Sequence, residues 1–193
     1  MDFSSPACSA KAKAARVMQT DAPTLTTERL IIEPLSMRHW ESYAAAWGDP
    51  RMTQFISPEP RSRQECWIKF VQGAGFWSLF GYGYWAFCDR ATGAFLGNGG
   101  LAQMERGIAG LTGFPEAGWA FSHQAWGKGY ATEAMAAVLQ WADATLPDRE
   151  IRCIIDIENH ASVRVGEKLG FGQIEVLPGT TGALGLFSRQ AGG

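Results

Sequence analysis

Gln124-Ala125-Trp126-Gly127-Lys128-Gly129-Tyr130-Ala131 stands between a strand pattern, Glu116–Phe121, and a helical pattern that starts at Ala131. Two glycines two apart let the backbone turn so that successive N–H groups face one point. The helix behind them adds its unsatisfied N-terminal N–H groups and the positive end of its dipole. Oriented amides of this kind cradle an anion, and Lys128 adds a formal charge. A pyrophosphate suits such a cradle. The same letters also suit a tight strand-to-helix turn that simply needs glycine. Known nucleotide loops fit less well. Gly-Lys occurs without the spacer and Ser/Thr of a P-loop, and Gly-x-Gly lacks the third glycine of the dinucleotide fingerprint.

Working outward, Ala131–Ala144 carries Ala131, Ala134, Met135, Val138, Leu139 and Ala142 on one helical face. Ile151–Ile157 reads as a strand. A short helix from Asn159 or His160 stops at Gly170, a residue suited to the left-handed position past a helix end. Upstream, Arg29–Leu35 reads as a strand, and Ser36 as the cap of a helix reaching Trp47. Residues 51–60 look loop-like. Ser62-x-x-Glu65 is a capping box, with Trp67, Phe70, Val71 and Ala74 at helical spacing behind it. Tyr82–Cys88 and Ala94–Gln103 form a hairpin pattern in which Gly97, Gly99 and Gly100 predict a bulge or a close backbone approach. A weak terminal hairpin, Gln173–Leu177 and Ala183–Ser188, ends the chain. The order β-α-α-β-β-β-α-β-α-β-β predicts an α/β domain with a mixed sheet.

Composition narrows the possibilities. The 193 residues are 46% hydrophobic and 19% charged, enough apolar material for a core and against global disorder. The net charge of −2 argues against a domain-wide nucleic-acid footprint. No apolar run reaches membrane-spanning length, so neither a nucleic-acid nor a membrane partner is expected. Cys8, Cys66, Cys88 and Cys153 are too far apart for C-x-x-C pairs and read as reduced thiols of a cytoplasmic protein. His39, His123 and His160 are too scattered for a zinc site, so no metal is expected. Residues 1–22 read as a disordered extension with no secretory core, Met18 being an alternative start, and residues 23–193 as one domain.

A second motif follows about one helix and one strand after the loop: Asn159, Ser162, Lys168, Leu169, Gly170 and Phe171 in Asn-x-x-Ser…Lys-Leu-Gly-Phe. Together with Gln124, Gly127 and Gly129 (Gln/Arg-x-x-Gly-x-Gly/Ala) it resembles the GNAT superfamily of N-acetyltransferases. The opening "LTTERLIIEPL" is similar to the RimJ/RimL-like branch. The resemblance runs from about Leu25 to Phe171. It implies the GNAT fold, a mixed, mostly antiparallel twisted sheet of six to seven strands with a splayed central pair, flanked by about four helices.

The resemblance also implies acetyl-CoA as co-substrate and a primary amine as acceptor, either a protein N-terminus or a small amine. Its pantetheine arm would lie between Glu116–Phe121 and Ile151–Ile157, against the main chain of Trp119, Ala120, Phe121 and Ser122. Its pyrophosphate would sit on the amides of Trp126, Gly127, Lys128, Gly129, Tyr130 and Ala131. Asn159 would bond the pantetheine arm and Ser162 would lie near the sulfur, although both residue types also cap helices. Glu116, at the start of its strand, is the candidate base for the amine; a solvated strand-end carboxylate is the alternative. Many relatives place a tyrosine early in the last motif helix to protonate the thiolate. This chain has Val163, Arg164 and Val165 there, which leaves Ser162 as the substitute. The aromatic run from Phe76 to Trp85, with Phe55 and the loop 106–115, offers both core and an acceptor pocket. His123, His160, Glu133 and Lys168 read as surface or packing residues. A catalytically weak acyl-CoA-binding or interaction module is the other class compatible with the missing tyrosine. Monomer and homodimer remain equally open.

Overall fold

A computed structural model describes residues 22–57, 59–146, 149–179 and 182–190. The expected disordered extension, 1–22, lies outside them except for Ala22. The strands are β1 (Leu25–Thr26), β2 (Leu30–Pro34), β3 (Tyr84–Asp89), β4 (Phe95–Ala102), β5 (Glu116–Phe121), β6 (Ile151–Asp156), β7 (Gly172–Pro178) and β8 (Ala183–Arg189). The helices are α1 (Trp40–Trp47), α2 (Pro50–Thr53), α3 (Arg63–Phe80), α4 (Tyr130–Thr145) and α5 (His160–Lys168). All eight strands join one sheet in the order β1-β2-β3-β4-β5-β6-β8-β7. Every pairing is antiparallel except β5 with β6. The mixed, mostly antiparallel α/β architecture predicted from the sequence is therefore the one adopted.

Two elements exceed the prediction. β1 has only two residues, too few to show the alternation that marks a strand. α2 occupies the stretch read as loop. Its signal is Asp49-Pro50: the Asp49 side chain accepts from the Arg51 N–H while Pro50 fills the first helical position. The same pair also closes α1, which hides the second helix.

Alternation along β3 sorts the core into two layers. Trp85 and Phe87 face α4 with Leu30, Ile32, Met135 and Val138. Ala86 and Cys88 face α1 and α3 with Tyr43, Trp47 and Phe70. Trp77 crosses over to join the first layer, its ring centroid 4.5 Å from Trp85, and Trp141 of α4 lies 5.2 Å from Trp85. Such edge-to-face aromatic pairs contribute beyond their buried area. The Ser62–Glu65 capping box forms as predicted. The buried stripe of α3, however, is Cys66, Phe70, Gly73, Phe76 and Trp77. Trp67 and Val71 remain 42% and 49% exposed. A helix apolar on several sides has more than one stripe at the right spacing, and the sheet selects one.

The predicted irregularity in β4 is present. The β3–β4 register shifts as Phe87 pairs with Gly97 and Cys88 with Phe95, bulging Leu96. Gly99 permits a close approach: a Cβ there would stand 2.5 Å from the Gly118 carbonyl. The terminal hairpin is stronger than its sequence suggested. β8 inserts beside β6 along six paired positions. Buried Arg189 anchors it, gripping both Asp143 oxygens at 2.8 and 2.7 Å and donating to the Leu169 carbonyl.

Candidate active site

β4 and β5 pair at six positions, whereas β5 and β6 pair at one, Glu116 with Arg152. The Arg152 N–H donates to the Pro115 carbonyl at 3.0 Å, and beyond that point the strands separate. A cavity of about 610 Å³ opens along the separation. Ile154, Asp156, Asn159 and Ser162 line one part, and Tyr43, Trp47, Lys69 and Arg106 another.

Strand alternation decides which main-chain groups meet this gap. The Pro115 carbonyl points to β6, so Trp119 and Phe121 share its direction. The Ser122 N–H is instead taken by the Leu96 carbonyl of the neighbouring strand, and Ala120 shares Ser122's direction. Of the stretch 119–122, the odd-numbered members therefore face the gap and the even-numbered ones face β4. The Phe121 carbonyl is already occupied, accepting from the Trp126 indole at 2.7 Å.

At the far end of β5, a short 3-10 turn (His123–Ala125) leads into the glycine loop. Gly127 and Gly129 have φ of 72° and 80°, the left-handed region that side chains strain to reach. No side chain caps α4 at Gly129. Among the described residues, the N–H groups of residues 127–132 have no hydrogen-bond partner. Uncapped amides gathered at a helix start fit the diphosphate of a coenzyme. Arg29, just ahead of β2, braces the loop. Its Nη1 donates to the Lys128 carbonyl at 2.8 Å, and its Nε donates to Glu133 at 2.7 Å. Thr27 donates to the same carboxylate. Glu133 is accordingly a packing residue, as read from the sequence. Gln124, Trp126 and Lys128 are exposed, and Tyr130 and Ala131 half-buried. His123 is exposed, its ring against Trp126; His160 is exposed at the start of α5.

Asn159 caps α5: its Oδ1 accepts from the Ser162 N–H at 3.1 Å. Both residues line the cavity, and the Ser162 hydroxyl has no partner among the described residues. Glu116 is 4% exposed, which removes the solvated strand-end alternative. The Arg106 guanidinium grips it from the loop: Nε donates to the two carboxylate oxygens at 3.0 and 2.8 Å, and Nη2 donates to Oε1 at 2.8 Å. Such a bidentate pair fixes a carboxylate's orientation.

Three further residues, Asn98, Lys69 and Arg61, escaped sequence reasoning, and Tyr84 entered it only as one of the aromatic run. Asn98, buried in β4, accepts from the Trp47 indole at 2.9 Å beside the cavity. Tyr84 reaches over Gly118, where a Cβ would stand 2.5 Å from its hydroxyl. Burial, and secondarily the Glu116 charge, push the Tyr84 phenol up, so it stays protonated. Lys69 and Arg61 also enter the cavity. Of the aromatic run, Phe76 and Tyr84 line the cavity with Phe55, while Trp77, Tyr82 and Trp85 belong to the core. Ligand atoms of Glu33, His39 and Cys88 gather within 4.8 Å. His39 Nδ1 already accepts from the Ser36 N–H, however, and Glu33 pairs with His39 and Arg38. Burial pushes the His39 imidazole down to about 4, with Arg38 adding to the effect. The group reads as a neutral turn lock.

A sheet parted at one strand pair beside an uncapped glycine loop is the arrangement that the sequence resemblance to acetyltransferases implies. The family model described as Acetyltransferase (GNAT) domain matches residues 29–172, and the chain belongs to that family. It is an acyltransferase. The uncharacterized protein YkkB of Bacillus subtilis (strain 168) is 29% identical over 148 residues, covering 76% of this chain and 83% of YkkB. A putative GnaT-family acetyltransferase from Bordetella pertussis superposes with a TM-score of 0.77 at 27% identity, covering 87% of this chain and 99% of that one. An acetyltransferase from Agrobacterium tumefaciens str. C58 gives 0.76 at 26% identity, covering 89% and 96%. Among the described residues no helix is long and apolar enough to cross a membrane.

Proposed function

We propose that the protein transfers an acetyl group from acetyl-CoA to a primary amine, by direct attack in a ternary complex. The observation that carries this reading is the parting of β5 and β6 next to the uncapped loop 127–132. The amides of Gly127–Ala131 hold the pyrophosphate, the Trp126 N–H being taken by the His123 carbonyl at 3.2 Å, with Gln124 opening the turn and Lys128 adding charge. Main-chain groups of Trp119 and Phe121 face the pantetheine arm, which Asn159 borders from α5.

A protonated amine is no nucleophile, and losing that proton is easier for an α-amino group than for a lysine. Glu116 takes the proton, directly or through a water. Arg106 keeps the carboxylate aimed while leaving Oε2 with a single donor. The Phe121 N–H aims at the oxygen that gains charge as the amine attacks. Ser162 lies where a proton can be offered to the departing sulfur. A thiol of ordinary acidity also leaves unaided, which makes this the lesser contribution. The similarity of the opening to the RimJ/RimL-like branch supports a cytoplasmic enzyme whose acceptor is a protein N-terminus or a small amine.

The test is a coenzyme-release assay over N-terminal peptides and small amines, repeated with Glu116→Gln and Ser162→Ala. Release by the parent and its loss in Glu116→Gln support the reading. Tight acetyl-CoA binding without turnover on any amine assigns the fold to a binding module instead.

A further inference from the structure

Three cations converge on the part of the cavity walled by α1 and α3: Arg61, Lys69 and Arg106. Among the described residues only Arg106 of these three forms an ion pair, with Glu116. Arg61 lies over the Trp47 ring at 5.5 Å, and its Nε is buried with no hydrogen-bond partner among the described residues. An unmet buried donor forfeits its hydration without return, so its persistence asks for an explanation. Lys69 forms no ion pair or hydrogen bond among the described residues. Burial lowers the Lys69 ammonium, and the charges of Arg61 and Arg106 lower it further against the pull of Glu116. The second carboxylate lining the cavity, Asp156, is buried at the end of β6 and accepts the Glu158 N–H. It adjoins Asn159, whose N–H donates to the Asp156 carbonyl, whereas the charges acting on Lys69 are those of Arg61, Arg106 and Glu116.

A lone cationic amine entering here meets surplus like charge, which disfavours it. An acceptor that brings its own negative charge removes that surplus and supplies the partner that Arg61 Nε lacks. We infer that the acceptor carries, beside its amine, a carboxylate or comparable oxyanion received by Arg61 and Lys69. This rests on the amine-acetylation reading above. Trp47, Phe55 and Phe76 give the remainder of the wall an apolar character suited to a side chain. The charge has two sources, an α-amino acid or a peptide whose acidic side chain follows its N-terminus.

Coenzyme release is measured on matched pairs: methionine and phenylalanine against their carboxamides, and Ser-Asp against Ser-Asn peptides. In at least one arm the acidic member should exceed its neutral partner by about tenfold in kcat/KM; which arm responds identifies the source. Arg61→Gln and Lys69→Gln should each shrink that ratio at least threefold, with Arg61→Lys restoring part of it. Circular dichroism and melting confirm that the variants fold, and either variant alone suffices. Equal or better use of the neutral member in both arms overturns the inference. So does a ratio unmoved in both folded variants. If no amine is acetylated, calorimetry with N-acetylmethionine and its carboxamide on the CoA-loaded protein decides. Binding of the acid alone upholds the anion subsite while the transferase reading fails. Binding of neither, or of both equally, overturns the subsite.

Discussion

The regions proposed for the coenzyme and for the acceptor are built from different materials. The first is made largely of main chain: two left-handed glycines, an uncapped helix start and a strand edge released from its neighbour. The second is made of side chains that come from α1, α3, β3 and the loop 103–115. Main chain carries no residue-specific charge, so the first part suits a partner common to a whole family. Side chains can be exchanged one at a time, so the second part is where members of a family can differ in acceptor.

The sharpest way to break this contrast is to add side chains to the loop. Changing both Gly127 and Gly129 to Val forces branched residues into left-handed backbone, at about 1–2 kcal/mol each. Affinity for acetyl-CoA should fall about a hundredfold by calorimetry; unchanged affinity would sink the main-chain cradle. Next comes Glu116→Gln, for which kcat should fall by about a hundredfold or more. Its acetyl-CoA affinity should hold within about threefold, because the change lies on the acceptor side. A matching loss in affinity would erase the division between the two parts.

Asn159 tests the boundary between them. Asn159→Ala should cost about 1 kcal/mol of stability through the lost cap, read as a lower melting temperature. Asn159→Asp should keep the cap yet weaken acetyl-CoA binding if the amide nitrogen serves the pantetheine arm. Binding equal to the parent in Asn159→Asp leaves Asn159 a cap alone. The smallest effect belongs to Ser162→Ala. It should lower kcat only about two- to fivefold, since the thiolate of a thiol with a pKa of about 8.5 can leave without an acid. A much deeper loss, measured at saturating substrates, would promote Ser162 from helper to necessity.

Legibility followed the same division. Gly127, Gly129 and the start of α4 adjoin in sequence, so a local reading finds them. Glu116 stands out in the sequence by its place at a strand start, but its partner Arg106 lies in a stretch without periodicity. Arg61 precedes the α3 cap and Lys69 sits on a helix where an exposed lysine is the ordinary case. Tyr84 was visible only as one aromatic among several. The α3 stripe shows the limit most plainly: Trp67 and Val71 satisfied helical spacing, yet Phe70, Gly73 and Trp77 face the protein. Gly73 is selected because a Cβ there would press within 3.2 Å of Leu35.

From letters alone came the alternation of strands and helices, the capping of α3 at Ser62 and the bend that exposes amides ahead of α4. Each of these rests on neighbours within a few residues, where backbone geometry and hydrogen bonding are decided locally. Only the folded chain decided that β8 would lie along β6, that β5 and β6 would touch once and part, and that Arg61, Lys69, Arg106 and Glu116 would share one cavity. Those outcomes depend on which distant segments bury apolar area against each other, and no short window of sequence holds both partners.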